Sequence, residues 1–217
     1  MTPFWLRVLV VAAGLFAAGG LTTIILATRR FRPRQPLAPP EGSEWQGVQY
    51  ALFAGMMPWA KESARRHLPT YFTGITYHVG IAAGLLTLVT TLLSSEAAGI
   101  AKIVLEVLTI LGAAAGIGLL AKRAVTPALR AISTPDDIIS NGLVTLFLVA
   151  AASTLWKPQF ATVFLVIATA LLVYMPIGKI RHCFLFFVSR ITFGRFFGRR
   201  RVLPHPSVAP TESHAGR

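Results

Sequence analysis

From Phe4 to Thr28 the chain carries one charged residue, Arg7, and that run alone is long enough to cross a bilayer as a helix. Four further apolar stretches follow: about Tyr71 to Leu93, Ile100 to Ala121, Ile138 to Leu155, and one that starts near Phe160 and continues past Met175 toward Val188. Packing five such segments into a water-soluble core would leave no polar surface. Only 13% of the 217 residues are charged, against roughly a quarter in an ordinary soluble domain. The expectation is an all-α membrane protein with five transmembrane helices.

The distribution of charge orients these segments. Arg29, Arg30, Arg32, Arg34, Lys61, Arg65 and Arg66 lie between the first and second spans. Lys122, Arg123 and Arg130 lie between the third and fourth, and Lys179, Arg181, Arg190, Arg195, Arg199, Arg200, Arg201 and Arg217 lie at or beyond the end of the fifth. With the N-terminus outside and the C-terminus in the cytoplasm, all of these fall on one side, and only Arg7, Lys102 and Lys157 fall near the other. Lysine and arginine bias toward the cytoplasm is the rule for membrane insertion. It accounts for the formal net charge of +13 without nucleic acid, because the basic residues cluster at the ends of apolar segments rather than on one polar face. A secretory leader would place its positive charge before the apolar core, whereas here the arginines follow it, as in a retained first helix. The localisation implied is multi-pass, in a bacterial cytoplasmic (inner) membrane.

Four regions follow: 1–28, the first span; 29–70, a basic and interfacial cytoplasmic segment; 71–200, a four-helix membrane domain; and 201–217, a disordered basic tail. In the second region, Trp45 to Arg66 mixes an apolar patch (Tyr50 to Phe53, Met56 to Trp59) with charge. It is too short and broken to span and reads as an interfacial stretch, or a partner-docking surface, on the cytoplasmic face. The tail, with its prolines and polar residues, has too little to bury.

One cysteine, Cys183, excludes an intrachain disulfide and an all-cysteine metal centre. The histidines are more informative. His78 lies within the second span and His182 late in the fifth; ionisable groups at membrane depth are costly and mark function. Both are expected toward the cytoplasmic end, His78 about 12 Å from it at the helical rise. Two imidazoles at matching depth on neighbouring helices suit the axial positions of one six-coordinate b-type haem, with Gly74, Gly80 and Gly84 allowing a flat macrocycle close to the backbone and Arg181 and Lys179 available to its propionates. The plainer alternative is two hydrogen-bonded structural histidines. His67 precedes His78 by eleven residues, about 20° from the same helical face, which makes it an alternative ligand. His205 and His214 lie in the tail. Glu106 suggests an i,i+4 ion pair with Lys102 or, alternatively, a quinone or proton site. Asp136 and Asp137 suit the N-terminus of the fourth span.

Three motifs carry a family resemblance. Met175 to His182 has the pattern proline, two residues, lysine, two residues, histidine; His78 is followed by Val79, Gly80 and Ile81; and the loop Lys122 to Asp137 contains Thr126, Pro127, Arg130, Thr134 and Pro135 at characteristic spacing. Together they resemble the gamma subunit of respiratory nitrate reductase, over roughly Tyr71 to Val188. The resemblance implies a membrane cytochrome b with His78 and His182 as haem ligands, a quinone or quinol as redox partner, and a cytoplasmic iron–sulfur or catalytic subunit. The family also carries an outer haem, whose ligands would fall ten residues after His78 and eighteen before His182, at Leu88 and Phe164. Neither can ligate iron, so one haem b is expected. The alternative function is a haem-free membrane anchor or assembly subunit of a redox complex. A transporter is disfavoured by the lack of an inverted repeat.

Overall fold

Without water to satisfy the backbone, a lipid-embedded chain closes its hydrogen bonds within helices. The computed structural model, which describes residues 2–30, 39–95 and 98–203, is helical throughout, with no strand among the described residues. In chain order the helices are α1 (Phe4–Arg29), α2 (Glu44–Leu52), α3 (Glu62–Arg66), α4 (Leu68–Leu92), α5 (Gly99–Val125), α6 (Pro127–Ala131), α7 (Pro135–Trp156), α8 (Ala161–Tyr174) and α9 (His182–Arg199). Among these, α1, α4, α5 and α7 are long and apolar enough to cross a membrane. A fifth crossing would require Pro158–Tyr174 and Lys179–Arg199 to form one broken span. Arg32, Arg34, His205 and His214, with all of the tail beyond residue 203, lie outside the described residues.

The fifth segment does not continue unbroken toward Val188. Helix α8 stops at Tyr174, Pro176 follows within two residues, and a 3₁₀ turn at Lys179–Arg181 leads into α9. Proline lacks the N–H that continuation needs. Gly178 completes the break, because a Cβ there would lie 2.6 Å from Cζ of the Tyr174 ring.

The chain divides into two compact units. The first comprises residues 2–30 and 66–183. Phe147, Leu148, Ala151, Phe164, Leu165 and Ala168 lie fully buried at its centre. Apolar side chains gain little by leaving lipid, so helices in a membrane associate through close packing. Gly80 on α4 and Gly112 on α5 supply it: a Cβ on Gly80 would sit 2.6 Å from the Gly112 Cα. Gly84 lets α4 close on Phe147 of α7. The buried hydroxyls of Thr87 and Thr109 donate to the carbonyls of Ala83 (2.9 Å) and Leu105 (2.8 Å) in their own helices. On another flank, Gly20 of α1 meets Pro176.

The second unit comprises residues 39–65 and 184–203. Here α2 and α9 interlock through glycine: a Cβ on Gly47 would lie 2.6 Å from the Gly198 Cα. Arg199 forms an ion pair with Glu44 at 3.9 Å, and its carbonyl accepts from Glu41 and Gly42. Arg190 and Lys61 both approach the Met56 sulfur, at 2.8 Å and 3.5 Å. Trp45, Phe53, Trp59, Phe184 and Phe187 are exposed. Aromatic rings beside cationic side chains are the composition of a segment lying in a lipid interface.

Candidate functional site

His78 stands about three turns into α4, and His182 is the first residue of α9. The break after α8 brings the two together: the ring centroids are 6.4 Å apart and the planes are inclined at 80°. A transition-metal ion shared by two imidazole nitrogens at about 2 Å each would set the centroids about 6 Å apart. Both rings are exposed on the surface of the chain.

Their hydrogen bonds fix the tautomer. His78 Nδ1 is 2.7 Å from the Gly74 carbonyl oxygen, and His182 Nδ1 is 2.6 Å from the Lys179 carbonyl oxygen. A carbonyl only accepts, so each Nδ1 carries a proton, and Nε2 is the nitrogen left to bind a metal. Neither Nε2 has a hydrogen bond among the described residues. A ligand histidine commonly has this second-shell arrangement, with one nitrogen held by the protein and the other offered to a metal. Two such donors can close the axial coordination of a flat metal chelate. The donor set therefore fits a haem iron.

The surroundings of His182 are polar. Asp136 accepts from Ser140 (3.0 Å), from the Tyr174 hydroxyl and from the Lys179 backbone N–H (3.3 Å). Asp137, in the first turn of α7, accepts from the Thr134 N–H (2.9 Å) and hydroxyl (2.8 Å), closing a capping box. The Lys179 ammonium lies 2.6 Å from Asp137 and 2.9 Å from the Thr134 hydroxyl, and Arg123 lies 3.7 Å from Asp137. The expected capping role thus belongs to Asp137, while Asp136 ties α7 to the turn before His182.

The other sequence-selected residues are dispersed. Lys179 is committed to Asp137, whereas Arg181 is exposed beside His182. Gly74 leaves open space where its Cβ would be, but Gly80 and Gly84 serve helix packing rather than a cofactor face. His67 stands outside α4 with φ −132°, so a helical projection from His78 does not extend to it; its carbonyl accepts from Tyr71. Glu106 is half-buried, and the anticipated ion pair with Lys102 is not formed, because Lys102 instead lines a cavity with Arg7. Leu88 and Phe164 are 6% and 0% exposed and belong to one apolar core, with Phe164 packed on Phe147 at 5.3 Å.

Sequence reasoning missed Tyr174 and Asp136 as supports of His182. The signal was present in the Pro176–Gly178 pair, which marks a chain reversal, but not in any local motif linking it to Asp136. Comparison with protein-family models, with curated proteins and with solved structures gives no match to this chain.

Proposed function

We propose that this chain is a membrane b-type cytochrome subunit, holding one haem b between His78 and His182 and passing electrons between the quinone pool and a cytoplasmic iron–sulfur partner. The pairing of the two imidazoles, each with its Nδ1 proton held by a backbone carbonyl, is the observation that carries this reading. The two Nε2 atoms, which have no hydrogen bond among the described residues, add to it, since a polar group at membrane depth would be costly without a partner. In this orientation the N-terminus is outside, and the basic ends of the helices face the cytoplasm of a bacterial cell, in accord with the distribution of lysine and arginine.

A bound haem would supply a one-electron couple. His78 and His182 would hold its iron, and two protein ligands would favour outer-sphere electron transfer over oxygen binding. The Gly74 and Lys179 carbonyls orient the ligands. Arg181 is the available contact for a propionate, while Lys179 is drawn to Asp137.

A reduced-minus-oxidised spectrum of the purified protein tests the proposal. The expected result is a b-type signal at one haem per chain, lost in His78→Ala and in His182→Ala. A spectrum with no such signal would favour the haem-free anchor. Retention of the full signal in both variants would overturn the assigned ligands.

A further inference from the structure

At the opposite end of the first unit from Lys122 and Lys179, a cavity of about 680 Å³ opens among α1, α4, α5, α7 and the start of α8. Its depth is marked by two exposed tryptophans, Trp5 on α1 and Trp156 on α7, which are 64% and 63% exposed. Exposed tryptophans at helix ends locate the boundary between acyl chains and headgroups. Thr2 and Arg7, and Thr154 and Pro158, flank these tryptophans in sequence and line the cavity, so it opens at phosphate depth.

Its chemistry is selective. Arg7 and Lys102 both contribute to the wall, and neither forms an ion pair among the described residues. The Arg7 guanidinium is held in place: Nε and one terminal nitrogen donate to Thr2 at 2.8 and 2.7 Å, and the other terminal nitrogen to Ser94. The Lys102 ammonium has no hydrogen bond among the described residues. Two cations sharing one cavity repel each other until an anion enters. The remaining polar wall has the opposite preference. Thr87, Thr90 and Thr91 spend their hydroxyl protons on carbonyls of their own helix, at 2.9, 3.0 and 2.7 Å. They therefore present oxygen lone pairs to the cavity. A well-matched occupant has a negatively charged oxygen group for the cations and its own O–H or N–H groups for the threonines.

We infer that this cavity binds a phosphate ester bearing hydrogen-bond donors, with the headgroup of an anionic glycerophospholipid such as phosphatidylglycerol as its source. Phosphatidylcholine has the phosphate but no donor and carries no net charge, so it is the discriminating control. This inference is independent of the haem.

The test uses the full chain, stripped of lipid in detergent and re-exposed to phosphatidylglycerol, phosphatidylcholine or glycerol phosphate. Retained lipid is read by native mass spectrometry and stabilisation by thermal unfolding. Phosphatidylglycerol is expected to bind at least about tenfold more tightly than phosphatidylcholine, and to lose that preference in Arg7→Gln with Lys102→Gln. Each variant is checked for helicity and monodispersity. Thr91→Val, which keeps both cations, narrows the discrimination by removing one acceptor and serves if the charge variants fail to fold. Glycerol phosphate stabilising as strongly as the lipid would assign the same groups to a soluble phosphate ester. Equal retention of phosphatidylglycerol and phosphatidylcholine by the wild-type chain, without stabilisation by glycerol phosphate, overturns the inference.

Discussion

Asp136 and His182 are joined through a single residue. The Lys179 N–H donates to the Asp136 carboxylate at 3.3 Å, and the Lys179 carbonyl accepts from His182 Nδ1 at 2.6 Å. The two bonds belong to successive peptide groups that share the Lys179 Cα, so the carboxylate fixes the turn that aims this carbonyl at His182. Asp136 is therefore a positioning residue for the proposed ligand. Asp136→Ala should loosen the turn and weaken haem retention by about tenfold, the lower end for a second-shell contact. Asp136→Asn keeps the shape and removes the negative charge, so it should retain haem and raise the reduction potential. A redox titration showing no difference between Asp136→Asn and wild type would remove the aspartate from this role.

The two basic residues beside the site should separate by function. Lys179→Met breaks its ion pair with Asp137, but Asp137 keeps its contacts with Thr134 and Arg123. The expected loss of stability is under about 1 kcal/mol, as for a partly exposed pair, with haem content unchanged. Arg181→Met should lower haem content instead. Haem-to-protein ratios for the two variants, measured alongside their unfolding temperatures, check the assignment; the reverse order would place the propionate at Lys179.

Close packing of α4 on α5 rests on backbone rather than on side chains. Adding a methyl group at Gly80 would place it 2.6 Å from the Gly112 Cα, and the backbone there cannot give way as a flexible side chain could. Gly80→Ala should cost about 1–3 kcal/mol through overpacking. Gly74→Ala meets nothing within 4 Å and should be nearly neutral for helix packing. Thermal unfolding of both variants in one detergent tests the contrast.

In the second unit, burial first and the nearby Arg190 guanidinium second push the Lys61 ammonium below the ordinary lysine range. The folded unit thus disfavours the charged form. Below the lowered pKa the penalty is fully present; it fades as the pH rises from there to the unfolded lysine value. Lys61→Met should raise the unfolding temperature at neutral pH, and its advantage over wild type should shrink in strongly alkaline buffer. A pH-independent difference would point to packing against Met56 instead of charge.

Much of the architecture was legible because lipid imposes length and polarity on each segment. Residues 4–28 and 138–155 announce α1 and α7 through apolar length alone, and the Thr134–Asp137 capping box was readable from residue types. The limit of α8 was harder to read. Apolar residues on both sides of Pro176 suggest one continuous helix, and the stop depends on Tyr174 packing over Gly178, a contact that periodicity does not encode. The pairing of His78 with His182 could be anticipated from their depths, but not the carbonyls that hold their protons. Lys102 and Glu106 have ion-pair spacing, yet the lysine joins Arg7 in lining a cavity, a tertiary preference that local spacing cannot anticipate.

The Gly80–Gly112 contact lies two residues beyond His78, on nearly the opposite side of α4. A helix gripped so tightly from behind cannot roll or slide without opening that seam, so the imidazole in front is held in a rigid mount. For the electron carrier proposed above, such a mount would keep nuclear rearrangement between oxidation states small, and the rate would then be governed by distance and driving force rather than by motion of the polypeptide.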